Sequence, residues 1–150
     1  HALIATEDKR FTDHSGIDMM GVLRAFFRTI IMGDKDSGGG STITQQLAKQ
    51  LYSPHADNII ERALQKPIEW VIAVELERRY SKEEIISLYL NQFDFLYNAI
   101  GIEQASLTYF SKLPKDLEVE ESALLVAMVK NPSFYNPRAM RSALLPGATW

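Results

Sequence analysis

An all-α fold is the class this sequence predicts, and three features predict it. Apolar residues recur at helical spacing along nearly the whole chain. Two S/T-x-x-E/Q capping boxes, Thr42 with Gln45 and Ser81 with Glu84, mark helix starts. No segment keeps the strict apolar–polar alternation of a strand. With 150 residues, 46% hydrophobic and 23% charged, the chain is one domain's worth of ordinary globular protein. It contains no internal repeat.

The elements follow in order. A first helix is expected over residues 2–14, with Ser15-Gly16 as its stop. Met19 to Met32 is a second, strongly apolar segment interrupted by Arg24 and Arg28. Ser37-Gly38-Gly39-Gly40-Ser41 has the composition of a spacer, yet it runs directly into the capped helix of Ile43, Leu47 and Leu51, which ends near Tyr52-Ser53-Pro54. A polar loop, 55–58, leads into the next helical stretch. Pro67 is expected to start or kink a helix there, which runs to about Tyr80. Ser81 opens a helix through Leu90, and residues 102–110 and 118–130 give two more, the last closed by Asn131-Pro132.

Several functions are excluded early. A net charge of −3 argues against a dedicated nucleic-acid binder. The absence of cysteine removes disulfides, thiol nucleophiles and cysteine metal sites. His1, His14 and His55 lack zinc-ligand spacing, and neither a GxxxxGK[ST] phosphate loop nor a GxSxG nucleophile elbow occurs. No apolar run reaches the ~18 residues of a membrane span. The chain opens directly in a helical pattern and is expected to be an excised domain whose targeting signals lie elsewhere.

Two constellations could carry chemistry. Glu7, Arg10, Phe11 and His14 would share one helix face, and a carboxylate beside a guanidinium stays ionised, as a general base must. The plainer reading is a surface ion pair. The glycine loop could let the backbone approach a ligand, with the helix start behind it offering N–H groups to phosphate, and with Lys49, Arg62 and Lys66 adding positive charge. The plainer reading there is a surface loop with a good cap. Glu69 would sit near a helix N-terminus, where a carboxylate is favoured, while Glu75 and Glu77 before Arg78 and Arg79 read as a solvated charged face.

Taken together, the segments say more. Glu7 to Asp18, EDKRFTDHSGID, resembles the EDxRFxxHxGID signature of the peptidoglycan glycosyltransferases of family 51, and Gly39 to Gln46 reads GGSTITQQ as that signature does. Glu69, Ala73 and Leu76-Glu77-Arg78-Arg79-Tyr80-Ser81-Lys82 are similar to the family's ExxxAxxLERxYSK. Tyr89-Leu90-Asn91-Gln92 is similar to YLNQ, and Pro132 to Pro137 to PSxYNP. The five matches keep their order across residues 2–137. Two departures stand out. Where the family reads IYFGNGAYGIE, Phe93 to Glu103 reads FDFLYNAIGIE, losing two glycines in a spelling similar to Bacteroidetes-like members. The family's basic RKxKE is here Gln65-Lys66-Pro67-Ile68-Glu69, which displaces one or two cations and leaves Arg62 or Lys66 as substitutes. Residues 139–150 match no signature.

The resemblance implies a lysozyme-like, mainly α fold that polymerises lipid II on the extracytoplasmic face of the cell membrane, as the glycosyltransferase part of a class A penicillin-binding protein or a monofunctional relative. Glu7 would be the general base toward the 4-hydroxyl of the acceptor sugar. Glu69 would orient cations, or a divalent Mg or Mn ion, near the departing pyrophosphate. Asp8, Lys9, Arg10, Phe11, His14, Gly40, Ser41, Thr42, Thr44, Gln45, Gln46, Lys49, Arg62 and Lys66 would bind substrate. The implied partners are lipid II, the growing glycan, the membrane surface and a C-terminal transpeptidase domain, with no nucleic acid. A lytic enzyme of lysozyme-like fold and a non-catalytic scaffold are the rival classes.

Overall fold

A computed structural model describes residues 1–31, 40–52 and 58–137. Among these the regular structure is helical: α1 (Ala2–Glu7), α2 (Met19–Ile31), α3 (Ile43–Tyr52), α4 (Ile59–Arg79), α5 (Lys82–Gln92), α6 (Ile102–Phe110) and α7 (Val119–Lys130), with short 3-10 turns at Phe11–Asp13 and Pro114–Asp116. A single bridge, Asp94 with Ile100, is the extent of β pairing among the described residues. The chain divides into two compact units, one holding His1 and residues 3–89, the other Ala2 and residues 90 onward, so that the division falls within α5.

In the first unit α3 packs against α4. The core here is Leu3, Phe11, Ile43, Leu47, Ala48, Ala73, Leu76, Ile85 and Tyr89. Both capping boxes form. Thr42 Oγ1 accepts from Gln45 N at 3.1 Å while Gln45 Oε1 accepts from Thr42 N at 3.2 Å. At α5, Ser81 N donates to Glu84 Oε2 at 2.7 Å and Glu84 N to Ser81 Oγ at 3.3 Å. Asn58 caps α4, its side chain accepting from Glu61 N at 2.8 Å.

Two expectations are corrected. The first helix stops at Glu7, and residues 11–13 form a 3-10 turn, so Glu7, Arg10, Phe11 and His14 do not share a helical face. The physical reason is that Asp8 and His14 are drawn inward to each other and to the start of α3. Gly16, at φ +96°, then lets the chain pass the α4 backbone; a Cβ there would lie 2.8 Å from the Ala73 carbonyl. Of the start or kink expected at Pro67, the start is corrected: Pro67 lies inside α4, which runs 21 residues from Ile59 to Arg79. A missing N–H costs one helical bond, a loss set against the packing of α4 on α3.

The second unit is held by α6 against α7 and by Phe95, Ala99, Ala105, Leu125, Met128 and Val129. The segment that lacks the family's glycines turns all the same. Leu96, Tyr97 and Asn98 take φ of 67°, 52° and 62°, the left-handed region glycine would occupy at lower cost. The turn is closed by Phe95 N to Ala99 O at 2.9 Å, Gly101 N to Phe93 O at 2.8 Å and Leu96 N to Asp94 Oδ1 at 2.8 Å. Tyr109 donates to Phe95 O at 2.6 Å and accepts from Asn136 Nδ2 at 3.2 Å, tying the PSxYNP-like end to the same turn.

Candidate active site

The start of α3 is where the predicted residues converge. Asp8 leaves α1 buried, and its Oδ2 accepts the Ile43 backbone N–H at 3.1 Å, adding a carboxylate to the positive end of α3. The same carboxylate faces His14 Nε2 at 3.0 Å, both side chains being nearly sealed from solvent. Phe11 is fully buried, its ring edge-on to His14 and 4.3 Å from Lys82 Nζ. Thr42 Oγ1 donates to Gly16 O at 2.6 Å, so the residue that caps α3 also ties it to the loop before α2. Asp8 and Thr42 thus bond directly at the start of α3, with His14 on Asp8 and Phe11 beside His14.

Around that fixed start lie the groups with chemistry to offer. Gln46, one turn into α3, points its Nε2 at Glu7 Oε2, 3.4 Å away, and its Oε1 accepts from the Tyr89 hydroxyl at 2.8 Å. Glu7 is half-buried at the end of α1. On the other side, Lys66 Nζ reaches Ser41 Oγ at 3.3 Å and Glu69 Oε2 at 2.9 Å. Arg62 Nη1 approaches Glu69 Oε1 at 2.7 Å and also contacts Gln65 Oε1 at 3.3 Å. Glu7 and Glu69, far apart in sequence, are thus each tied by side-chain contacts to the short segment 41–46.

The Glu69 environment differs from the expected one. Glu69 lies mid-helix, so a helix N-terminus does not hold its charge. Burial alone would raise its pKa, but the hydrogen bonds and charges of Lys66 and Arg62 outweigh that and hold it below the ordinary carboxylate value. Arg62 reaches Glu69 from two turns earlier on the same helix.

The charged face assigned to Glu77 is also corrected. Its carboxylate is buried, 5% exposed, and bridges Lys82 Nζ at 2.7 Å and the Thr44 hydroxyl at 2.6 Å; Lys82 in turn donates to His14 O at 2.7 Å. Glu75, Arg78 and Arg79 do form an exposed surface cluster. Arg10 turns from Glu7 toward Asp18, 3.4 Å away, and Asp13, 3.8 Å away. Lys9 and Lys49 are exposed, and Thr44 and Gln45 are buried. Gly40 has a packing reason of its own, since a Cβ there would come within 3.2 Å of Ala25 Cβ on α2. Residues 37–39 and His55 lie outside the described residues. An open cleft of about 790 Å³ beside α4, lined by Ile17, Pro67, Trp70, Val71 and Val74 among others, includes none of the predicted site residues.

A divalent cation does not find a ready protein cage here. Both Glu69 oxygens already face cations, and no group of three or more His, Cys, Asp or Glu side chains among the described residues converges as metal ligands would. Tyr89, Glu77 and Lys82 were absent from the sequence-derived site. Their motifs are legible, but only the fold turns them toward α3.

Comparison with known proteins identifies the family. A family model described as Transglycosylase matches residues 1–147, running into the tail that carries no recognisable signature. Penicillin-binding protein 1F of Bacillus subtilis is 49% identical over 136 residues, 91% of this chain and 18% of that protein. Penicillin-binding protein 1A of Haemophilus influenzae is 42% identical over 136 residues, 91% of this chain and 15% of that protein. Penicillin-binding protein 2a of Streptococcus pneumoniae is 42% identical over 137 residues, 91% of this chain and 18% of that protein. The chain spans less than a fifth of the length of these relatives.

Proposed function

This chain belongs to the transglycosylase family, and from that membership we propose that it polymerises lipid II into glycan strands at the extracytoplasmic face of the cell membrane. One observation carries the assignment of roles: the half-buried Glu7 meets Gln46 at one end of the segment 41–46, and the cation-held Glu69 reaches Ser41 at the other end through Lys66. Glu7 takes the proton of the acceptor sugar's 4-hydroxyl as that oxygen bonds to C1 of the growing chain. The bond from C1 to the phosphate oxygen breaks, the configuration at C1 inverts, and undecaprenyl pyrophosphate departs with the electron pair. Because Gln46 holds Oε2, the proton goes to Oε1.

The demanding part is the charge on the leaving pyrophosphate. Glu69 holds both Arg62 and Lys66, Lys66 also reaches Ser41 just before α3, and Lys49 adds an exposed cation one turn beyond Gln46. Those side chains supply positive charge without a protein-bound metal. A Mg or Mn ion at this position would have to be held by the pyrophosphate oxygens. The rival lytic reaction needs a glutamic acid that gives a proton. An amide N–H aimed at Glu7 suits instead a carboxylate that receives one.

The test is glycan-strand formation from lipid II by Glu7→Gln, which keeps shape and hydrogen bonding but removes the base. A positioned general base contributes about 10²–10⁴-fold, and polymerisation is expected to fall by that factor while lipid II binding persists. Near-normal polymerisation ends the assignment. The full-length protein is proposed to be membrane-anchored and to carry a transpeptidase domain; the relatives it matches are named for binding penicillin and extend well beyond the matched part.

A further inference from the structure

We propose that Tyr89 is a positioning residue for Glu7, acting through the side-chain amide of Gln46; this rests on reading Glu7 as the general base. Tyr89 lies on α5 with its whole side chain buried, deeper than a tyrosine needs to be to pack. Its hydroxyl spends its proton on Gln46 Oε1 at 2.8 Å, and the other end of that amide faces Glu7 Oε2 at 3.4 Å. The order of donors is directional. A carboxylate only accepts, so Nε2 must face Glu7; Oε1 then faces inward and requires a donor, and Tyr89 supplies it.

Burial, and next the negative charge of Glu7, push the phenol pKa well up, so the hydroxyl keeps its proton and remains a donor at every working pH. A half-buried carbonyl left without that donor loses its protein hydrogen bond, and the amide is free to turn over. Turned over, it would present Oε1 to a carboxylate, acceptor against acceptor. The helix α5 thus fixes which way round Gln46 stands, and through it which oxygen of Glu7 is held and which is left to take the proton. Tyr89 touches neither substrate nor the reacting atoms.

The experiment compares Tyr89→Phe, Gln46→Met and the double variant in the full-length protein, measuring kcat and KM for lipid II polymerisation together with thermal unfolding. The phenylalanine keeps the ring, so packing is retained. Tyr89→Phe is expected to lower kcat about tenfold with KM within about twofold, as loss of a reacting-atom alignment should. In the Gln46→Met background the same change is expected to have little further effect, because the group it acts through is gone. An equal loss of kcat in both backgrounds overturns the proposal, as does an unchanged kcat in Tyr89→Phe, or a rise in KM alone. Any of these results beside a strongly impaired Glu7→Gln leaves the base assignment standing and removes only the relay. If Glu7→Gln itself polymerises normally, the underlying reading fails instead.

Discussion

Glu69 has no access to solvent, yet it carries a charge, because two long cationic side chains come to it along the same helix. Its folded pKa lies below the ordinary 4.5. The ion pairs therefore stabilise the fold fully above about 4.5, and that contribution is lost as pH falls through the lower folded value. Thermal unfolding of the native protein and of Glu69→Gln, followed from about pH 7 to about pH 3, should show a gap that is constant near neutrality and closes in acid. A gap that persists undiminished in acid means the carboxylate is not charged as described. In activity, Glu69→Gln is expected to be less damaging than Glu7→Gln. It leaves Arg62 and Lys66 in place but unanchored, whereas Glu7→Gln removes the proton acceptor itself.

Helix starts and turns carry their own tests. The Thr42 hydroxyl does two things at once, accepting from Gln45 N and donating to Gly16 O, both in buried surroundings. Thr42→Val deletes the cap and strands a buried carbonyl, an expected loss of about 2–4 kcal/mol by denaturant unfolding. The exposed Thr12→Val is the control, expected within about 0.5 kcal/mol of native. Equal costs would show that Thr42 holds nothing. In the second unit, Tyr97 sits at φ 52° with its side chain 56% exposed. Tyr97→Gly relieves about 1–2 kcal/mol of left-handed strain and adds about 0.5–1 kcal/mol of chain entropy to the unfolded state, so a small net gain in melting temperature is expected. Ala99→Gly, at a buried position of ordinary φ, should lower it. Should both substitutions destabilise alike, the turn is not strained by its missing glycines.

At the scale of the molecule, α2 turns apolar side chains outward, as α4 does with Ile60, Leu64, Ile68 and Val71. Met19, Met20, Leu23, Phe26 and Phe27 of α2 are between 49% and 60% exposed, so among the described side chains this helix is not a core element. Among the described residues no helix is long and apolar enough to cross a membrane. An apolar helix lying in the membrane surface, flanked by Arg24, suits an enzyme whose substrate has a lipid tail. Replacing Phe26 and Phe27 with Ser is expected to weaken vesicle binding at least about tenfold, since each buried phenylalanine contributes about 1.5–3 kcal/mol, and to leave the melting temperature nearly unchanged. Unfolding of the variant with vesicle binding intact would instead place the helix in the core.

The sequence by itself determined what is local. The starts of α3 at Thr42 and of α5 at Ser81 follow from side chains bonding backbone three residues away, and the helices at 102–110 and near 118–130 from apolar spacing, all of which the string of residues displays. The ordered signatures were equally sufficient for the family, because each is a contiguous string. Only the tertiary structure decided which charges are buried and with whom. Glu77 beside Arg78 and Arg79 reads as surface until Lys82 and Thr44 close over it. Arg62 stands seven positions before Glu69 and becomes its partner only because α4 runs unbroken through Pro67. Tyr89 reaches Gln46 across 43 residues of sequence. A buried polar group must find its partner wherever the fold offers one, and desolvation makes that choice at a range no local pattern encodes.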